Sequence, residues 1–306
     1  MTLGTGSAVI IVSLTTLGGL LVAPGPAYAA PAAPAAAVIE YVALGDSYSS
    51  GTGASSYLGD GSPWCRRSNQ TYSYQIVGAV LDGAQIAEPD LKACHSAEIG
   101  DFYDWQYLIE PPQLAYLSPQ STYLVTATIG GNDLGFAPKI AFCVLANCAG
   151  PPLVTPGELQ ATRSRLIQLY RDVRSRMRPD GLLAVLSYPA FLPNPDDPVD
   201  AQPSLQRCLL EWLNLSTAEL RALYQATAQV SAMIADAVAA TGDPRVRFVD
   251  VLDSFRGHRV CSAQPWSHGV DLNVPESFHP KDPGYQAMAG QLAATLGLTG
   301  VAASSR

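Results

Sequence analysis

Four short strand-like runs, most of them continuously apolar, alternate along the chain with three stretches of helical periodicity. The runs cover residues 41–44, 123–129, 182–187 and 246–251. Apolar residues in succession, rather than at every second position, predict strands buried on both faces, as in a parallel sheet covered by helices. Leu159, Leu166, Tyr170, Val173 and Met177 recur at helical spacing, with Arg165, Arg171 and Arg176 off that face. Ser216-x-x-Glu219 reads as a capping box opening a long helix with Leu220, Leu223, Ala226, Val230, Ile234 and Val238 inward. Asp282-Pro283 reads as an N-cap and first helical residue, ahead of Tyr285, Met288, Leu292 and Leu296. Strands alternating with helices predict a doubly wound α/β sheet. One further strand is weakly marked at 85–87. Residues 50–70, 98–118, 136–155 and 189–215 read as long loops. No repeat and no linker divides the chain after residue 39.

Three strand or helix ends carry chemistry. The first apolar run stops at Gly45-Asp46-Ser47-Tyr48, followed by Ser49-Ser50-Gly51. A small-residue turn there presents a side chain at the carboxyl end of a strand, where open α/β sheets bind ligands. Such a cluster alone is ordinary turn chemistry. The second run leads into Gly130-Gly131-Asn132-Asp133, and Ser277-Phe278-His279-Pro280 precedes the last helix. Hydroxyl, amide and imidazole thus recur at element ends. Acyl transfer needs this set: a hydroxyl to attack, an imidazole to take its proton, and N–H donors for the oxyanion.

The Gly-Asp-Ser strand end, the Gly-Gly-Asn-Asp turn and the late Phe-His-Pro resemble the signature blocks of SGNH hydrolases, the GDSL lipases and esterases. The resemblance covers most of the chain after about residue 40 and is strongest to secreted actinobacterial members. It implies a three-layer α/β/α, flavodoxin-like domain and a serine-esterase mechanism needing no cofactor. By this match Ser47 is the nucleophile, His279 the base, and Asn132 a side-chain oxyanion donor beside the Ser47 backbone N–H. It also implies the disulfides Cys65–Cys94, Cys143–Cys148 and Cys208–Cys261. The implied substrates are acylglycerols, phospholipids or small acyl esters, met in part by transient contact with a lipid interface, and the implied protein is a monomer. The rival reading is a non-catalytic member that binds lipid or glycan in the same cleft.

Two positions depart from the family pattern. Secreted relatives carry a run like Cys-Ser-Gly-Ala whose glycine N–H joins the oxyanion hole. This chain reads Cys94-His95-Ser96-Ala97, so Ser96 takes the glycine's place. The N–H survives, but a Cβ is added, and a positive φ there would be strained. His95 reads as a loop histidine near the rim. The family often has Asp three residues before the histidine, and here Glu276 stands there. Either its carboxylate or a main-chain carbonyl of Glu276 or Ser277 is expected to orient the imidazole.

Composition narrows the class. The net charge of −8, from 18 basic and 26 acidic residues, argues against nucleic acid as a partner. Residues 8–22 are apolar and Ala27-Tyr28-Ala29 reads as a signal-peptidase site, so residues 1–29 are expected to be an export signal. No Lys or Arg precedes Arg66, so the signal lacks its usual positive start. Residues 30–38, rich in Ala and Pro, read as a lead-in, and 39–306 as the catalytic domain of an extracellular enzyme. Six cysteines in an exported chain predict three disulfides, with fifteen pairings open by count alone. No Cys-x-x-Cys occurs and no metal site is expected. Phe102, Tyr103, Trp105, Tyr107, Leu108 and Ile109 form an aromatic stretch that reads equally as an acyl-chain wall or as a loop packing on itself.

Overall fold

The computed structural model describes residues 1–2, 37–60, 62–200 and 215–301. The chain divides into two units, Met1–Ala35 and Ala36–Arg306, and the secondary structure described lies in the second. The expected export signal falls outside the described residues except at Met1 and Thr2. The strands are β1 (Val38–Ile39), β2 (Tyr41–Gly45), β3 (Val80–Leu81), β4 (Ala84–Ile86), β5 (Asp90–Leu91), β6 (Leu124–Thr128), β7 (Leu182–Leu186) and β8 (Val246–Val249). The α-helices are α1 (Ser47–Ser50), α2 (Phe136–Leu145), α3 (Pro156–Ser175), α4 (Thr217–Thr241) and α5 (Asp282–Leu296).

The main sheet is parallel throughout, in the order β5-β2-β6-β7-β8. Counted along the chain this is the 2-1-3-4-5 order of flavodoxin-like folds, which place their ligand site where the order reverses, beside the first strand. The strands alternate between two cores. Val42, Leu44, Val125, Ala127, Leu183 and Val185 face α3 and α4. Tyr41, Ala43, Leu124, Leu182, Ala184 and Leu186 face α5. Both faces of β2, β6 and β7 are therefore dry, which is why their sequences read as mostly apolar runs, while the edge strand β8 exposes Arg247. The result is the expected three-layer α/β/α architecture.

Helix ends follow the sequence signals, with one shift. Ser216 caps α4 and exchanges hydrogen bonds with Glu219 as a capping box. Thr155 and Glu158 do the same for α3. At α5 the N-cap is Lys281, and Asp282 is the first helical residue. The Asp282 carboxylate accepts instead from the backbone N–H and hydroxyl of Ser55, at 2.9 and 2.5 Å. It is drawn away from the helix end by a partner remote in sequence.

Two expectations are corrected. Residues 84–86 do form a strand, but in a separate small sheet of order β1-β4-β3. The strand beside β2 in the main sheet is the two-residue β5, too short to show a pattern. Val38 stands opposite Gln85 in that small sheet. The supposed loop at 136–155 contains α2. Its sequence, FAPKIAFCVL, is apolar apart from Lys139 and has a proline in its first turn, so no run of polar residues marks a solvent face.

Disulfides hold the long connections. Cys65–Cys94 ties the 50–70 loop to the segment after β5, and Cys143–Cys148 closes the end of α2. Cys261 is also disulfide-bonded; its expected partner Cys208 lies outside the described residues. Each such bridge typically contributes ~2–4 kcal/mol. No helix among the described residues is long and apolar enough to cross a membrane.

The tightest constraint in the sheet is at Gly45, the last residue of β2. Its φ is +118°, and a Cβ there would lie 2.3 Å from the Thr128 carbonyl oxygen and 2.9 Å from the Thr128 nitrogen. Both obstacles are backbone, so neither moves cheaply. Gly45→Ala is expected to destabilise the fold by more than about 3 kcal/mol, read as a lower urea midpoint at unchanged m-value; a loss under about 1 kcal/mol would contradict this packing.

Candidate active site

The turn after β2 is shaped by Asp46. It caps α1, its carboxylate accepting from the Tyr48 N–H at 3.0 Å and from the Thr128 hydroxyl at 2.6 Å. The Tyr188 hydroxyl donates to its other oxygen. Burial pushes the Asp46 carboxyl up to about 6, against the pull of these three donors. Gln113 clamps the same turn, its amide donating to the Gly45 carbonyl and accepting from the Gly45 N–H, at 2.9 and 2.7 Å. Gln113 did not stand out in the sequence. Gln113 lies 68 residues from its partner, so only the fold reveals it.

This scaffold holds Ser47 at the start of α1, nearly buried, with its hydroxyl 2.7 Å from His279 Nε2. His279 Nδ1 lies 3.0 Å from the Ser277 carbonyl oxygen. A carbonyl only accepts, so Nδ1 carries the hydrogen and Nε2 is left free to take the serine proton. The Glu276 carboxylate is turned away. It accepts from Tyr57 and Asn273 at 2.9 and 2.5 Å and pairs with Arg66 at 3.4 Å. Its length and position in the loop send it to the cleft rim rather than to the imidazole. The histidine loop is fixed to α1 by the Tyr48 hydroxyl, which donates to the Phe278 carbonyl at 2.9 Å. Burial in the cleft wall, helped by the nearby His95, holds His279 down to about 3, far below an ordinary histidine, despite the Ser277 bond that favours its charged form.

Asn132 follows β6, on the neighbour of the strand that ends at Ser47. Its side-chain amide donates to the Ala97 carbonyl at 2.9 Å, which spends one of its two hydrogens and aims the group at the cleft. Gly131 leaves room for Tyr188, whose hydroxyl oxygen accepts the Gly131 N–H at 3.0 Å. Asp133, next along, accepts from the Ile99 N–H and pairs with Arg165 at 2.9 Å, pinning the Ser96 segment against the β6 turn. Ser96 has φ +63°. The left-handed conformation expected of a glycine is therefore kept by a serine, at a cost on the order of 1–2 kcal/mol. Its side chain is exposed at the cleft edge and leaves the cleft open. Neither the Ser47 nor the Ser96 backbone N–H donates to another group among the described residues.

These side chains open on a cavity of about 770 Å³. Ser47, His279, Ser96, Asn132 and His95 lie at its polar end. Its walls are apolar: Phe136, Ile140 and Leu145 from α2, Phe191 after β7, Val230 from α4, and Val270, Val274 and Phe278 from the histidine loop. None of the residues 102–109 lines it. Phe102 is in the core, while Trp105, Leu108 and Ile109 stand exposed elsewhere. The wall from α2 was missed because that segment reads as a featureless apolar loop.

Among the described residues one set of potential metal ligands converges: His268, Asp271 and Glu276. Each is already engaged, His268 with Gly53 and Asp271, and Glu276 with Arg66, Tyr57 and Asn273.

A serine hydroxyl under a neutral imidazole, at the carboxyl end of the first strand and facing an apolar cavity, is equipment for hydrolysing carboxylic esters. The chain matches the GDSL-like Lipase/Acylhydrolase family over residues 43–287 and belongs to it. It is 34% identical to Lipase 1 of Streptomyces coelicolor over 272 residues, covering 86% of this chain and 90% of that protein. A lipase of Streptomyces rimosus is 33% identical over 280 residues, covering 90% and 91%. Among solved structures, the extracellular lipase from Streptomyces rimosus superposes with a TM-score of 0.64 at 31% identity, over 84% of this chain and 99% of that one. Phospholipase A1 from Streptomyces albidoflavus NA297 gives 0.63 at 29%, over 85% and 100%. The chain is a carboxylic ester hydrolase of the lipase and esterase type.

Because the Nδ1 partner is main chain, Glu276→Gln is expected to change kcat by less than about tenfold. Steady-state kinetics on the folded variant checks this, and a loss beyond about a hundredfold would mean that the carboxylate swings onto His279 during turnover.

Proposed function

We propose that this chain is an exported lipase or esterase working through an acyl-enzyme on Ser47. His279 takes the Ser47 proton through Nε2 as the hydroxyl attacks the ester carbonyl. The Ser277 carbonyl keeps the imidazole in the right tautomer and steadies the imidazolium. The developing oxyanion is met by the backbone N–H groups of Ser47 and Ser96 and by the free hydrogen of the Asn132 amide. His279 then gives its proton to the leaving alkoxide, and water attacks the acyl-enzyme by the same route in reverse. The reading rests above all on the 2.7 Å Ser47–His279 contact at the mouth of an apolar cavity.

The cavity's apolar walls suit an acyl chain of medium to long length, each buried CH₂ being worth ~0.8 kcal/mol. The lipases and the phospholipase A1 among its relatives are consistent with acylglycerol or phospholipid substrates. Export is supported by the apolar leader and by the extracellular relative. The chain is taken to act as a monomer.

Two measurements test the mechanism. On a panel of p-nitrophenyl esters, kcat/KM is expected to rise with acyl length up to a plateau, and Ser47→Ala is expected to lose on the order of 10⁴- to 10⁶-fold with its fold intact. A Ser47→Ala enzyme that keeps wild-type kcat would end the proposal.

The pH profile carries the second. His279 works unprotonated, so activity falls as pH drops through its pKa; with that value held near 3, its acid limb is expected far below pH 6.5. An inflection near pH 6 is expected to belong to Asp46 and to vanish in Asp46→Asn. A single limb at 6.5 that persists in Asp46→Asn would contradict the burial of His279.

A further inference from the structure

His95 has no part in the mechanism above, yet it lines the cavity beside Ser96, with its ring centroid 5.6 Å from that of His279. It is firmly placed. Its carbonyl accepts from the Gln106 amide and the Tyr107 hydroxyl at 2.9 and 2.8 Å, and its N–H donates to the Cys65 carbonyl at 3.1 Å. Neighbouring Cys94 is in the disulfide to Cys65.

The ring's protons follow from its one side-chain hydrogen-bond partner among the described residues, Thr52. Nδ1 lies 3.1 Å from the Thr52 hydroxyl, which lies 3.3 Å from the Ser50 hydroxyl. The Ser50 hydroxyl in turn faces the carbonyls of Ser47 and Arg66, at 3.2 and 3.4 Å. Carbonyls only accept, so the Ser50 proton goes to one of them. Ser50 then accepts from Thr52, and Thr52 accepts from His95 Nδ1. Only this assignment satisfies all three contacts. It leaves the hydrogen of a neutral ring on Nδ1 and a bare lone pair on Nε2, which has no partner among the described residues. Burial and the nearby Arg66 hold His95 down to about 4, so the ring is neutral in ordinary buffers.

We infer that His95 is a specificity residue: its Nε2 accepts a hydrogen bond from a second hydroxyl on the alcohol half of the substrate, selecting esters of polyols such as glycerol. The inference rests on the Ser47 esterase reading. The alcohol leaves on the side where His279 hands it a proton, and His95 is the polar group beside that imidazole. The acyl half has the apolar walls of α2 and α4. An alcohol without a hydroxyl would give the Nε2 lone pair no hydrogen-bond donor.

The experiment compares kcat/KM for glyceryl 1-monobutyrate and propyl butyrate, which share a carbon skeleton and differ in the alcohol hydroxyls. The wild type is expected to favour the glyceryl ester by about threefold to tenfold, as one neutral hydrogen bond allows. His95→Leu is expected to erase that preference while leaving the propyl ester within about threefold of wild type. His95→Gln, whose amide oxygen can reach the place of Nε2, is expected to recover part of it. Absence of a preference in the wild type, its persistence in His95→Leu, or an equal loss on both esters would overturn the assignment. If His95→Leu fails to fold, the wild-type ratio and His95→Gln decide by the same criteria. Turnover of the propyl ester that disappears in Ser47→Ala upholds the esterase reading on its own, so a failed selectivity then counts against His95 alone. If neither ester is turned over, the esterase reading fails and this inference fails with it.

Discussion

Everything at the site depends on how closely the end of β2 lies against the end of β6. The two strands pair in parallel register from Tyr41–Leu124 to Gly45–Thr128. Beyond that last pair the Asp46 N–H donates to the Thr128 carbonyl at 2.9 Å. The Asp46 carboxylate and the Ser49 hydroxyl both bond Thr128 from the other side of the turn. No side chain fits between Gly45 and Thr128. The serine turn and the Gly130-Gly131-Asn132 turn are thereby fixed to each other through backbone, which yields far less than side chains do. This is the point where the strand order reverses, and so where a doubly wound sheet leaves a crevice.

The histidine arrives from a different part of the chain and is held by other means. No strand carries it. Its loop is laced to the serine side by Tyr48 on the Phe278 carbonyl, by His268 Nε2 on the Gly53 carbonyl at 2.7 Å, and by Tyr285 on the Thr52 carbonyl at 2.7 Å. A main-chain carbonyl, rather than a carboxylate, faces Nδ1. That choice orients the ring without placing a full negative charge in the cleft. Burial keeps this histidine neutral well into acid, against the Ser277 bond, whereas a buried carboxylate partner would favour the imidazolium more strongly.

The segment 94–97 shows how a departure from family pattern is absorbed. Ser96 keeps a left-handed backbone that glycine would adopt freely, and the strain is contained because the disulfide at Cys94 and the Asp133 bond to Ile99 hold both sides of the turn. Its added Cβ points to the rim, so the cleft stays open. His95 adds a polar, uncharged ring to the polar end of a cleft whose wall from α2 is apolar.

Four strands of the main sheet, the helices α3, α4 and α5, and the order of Ser47, Asn132 and His279 at element ends were legible in the sequence. Both faces of the main strands are buried, so they read as solid apolar runs, and α3, α4 and α5 each have one dry face, so they show a period. Ser47, Asn132 and His279 were legible because they sit at element ends in a motif order. Other features were silent for physical reasons. Helix α2 packs one side on the core and lines the cavity with another, so it has no polar face to mark it as a helix. β5 is too short for any period. The contacts of Asp46 with Tyr188 and of Gln113 with Gly45 join residues 142 and 68 positions apart, which only folding brings together. The direction of Glu276 was open in the sequence, since its spacing from His279 suits a carboxylate partner. The tertiary structure decided it, because Arg66, Tyr57 and Asn273 together attract the carboxylate outward and leave the Ser277 carbonyl as the group within reach of the imidazole.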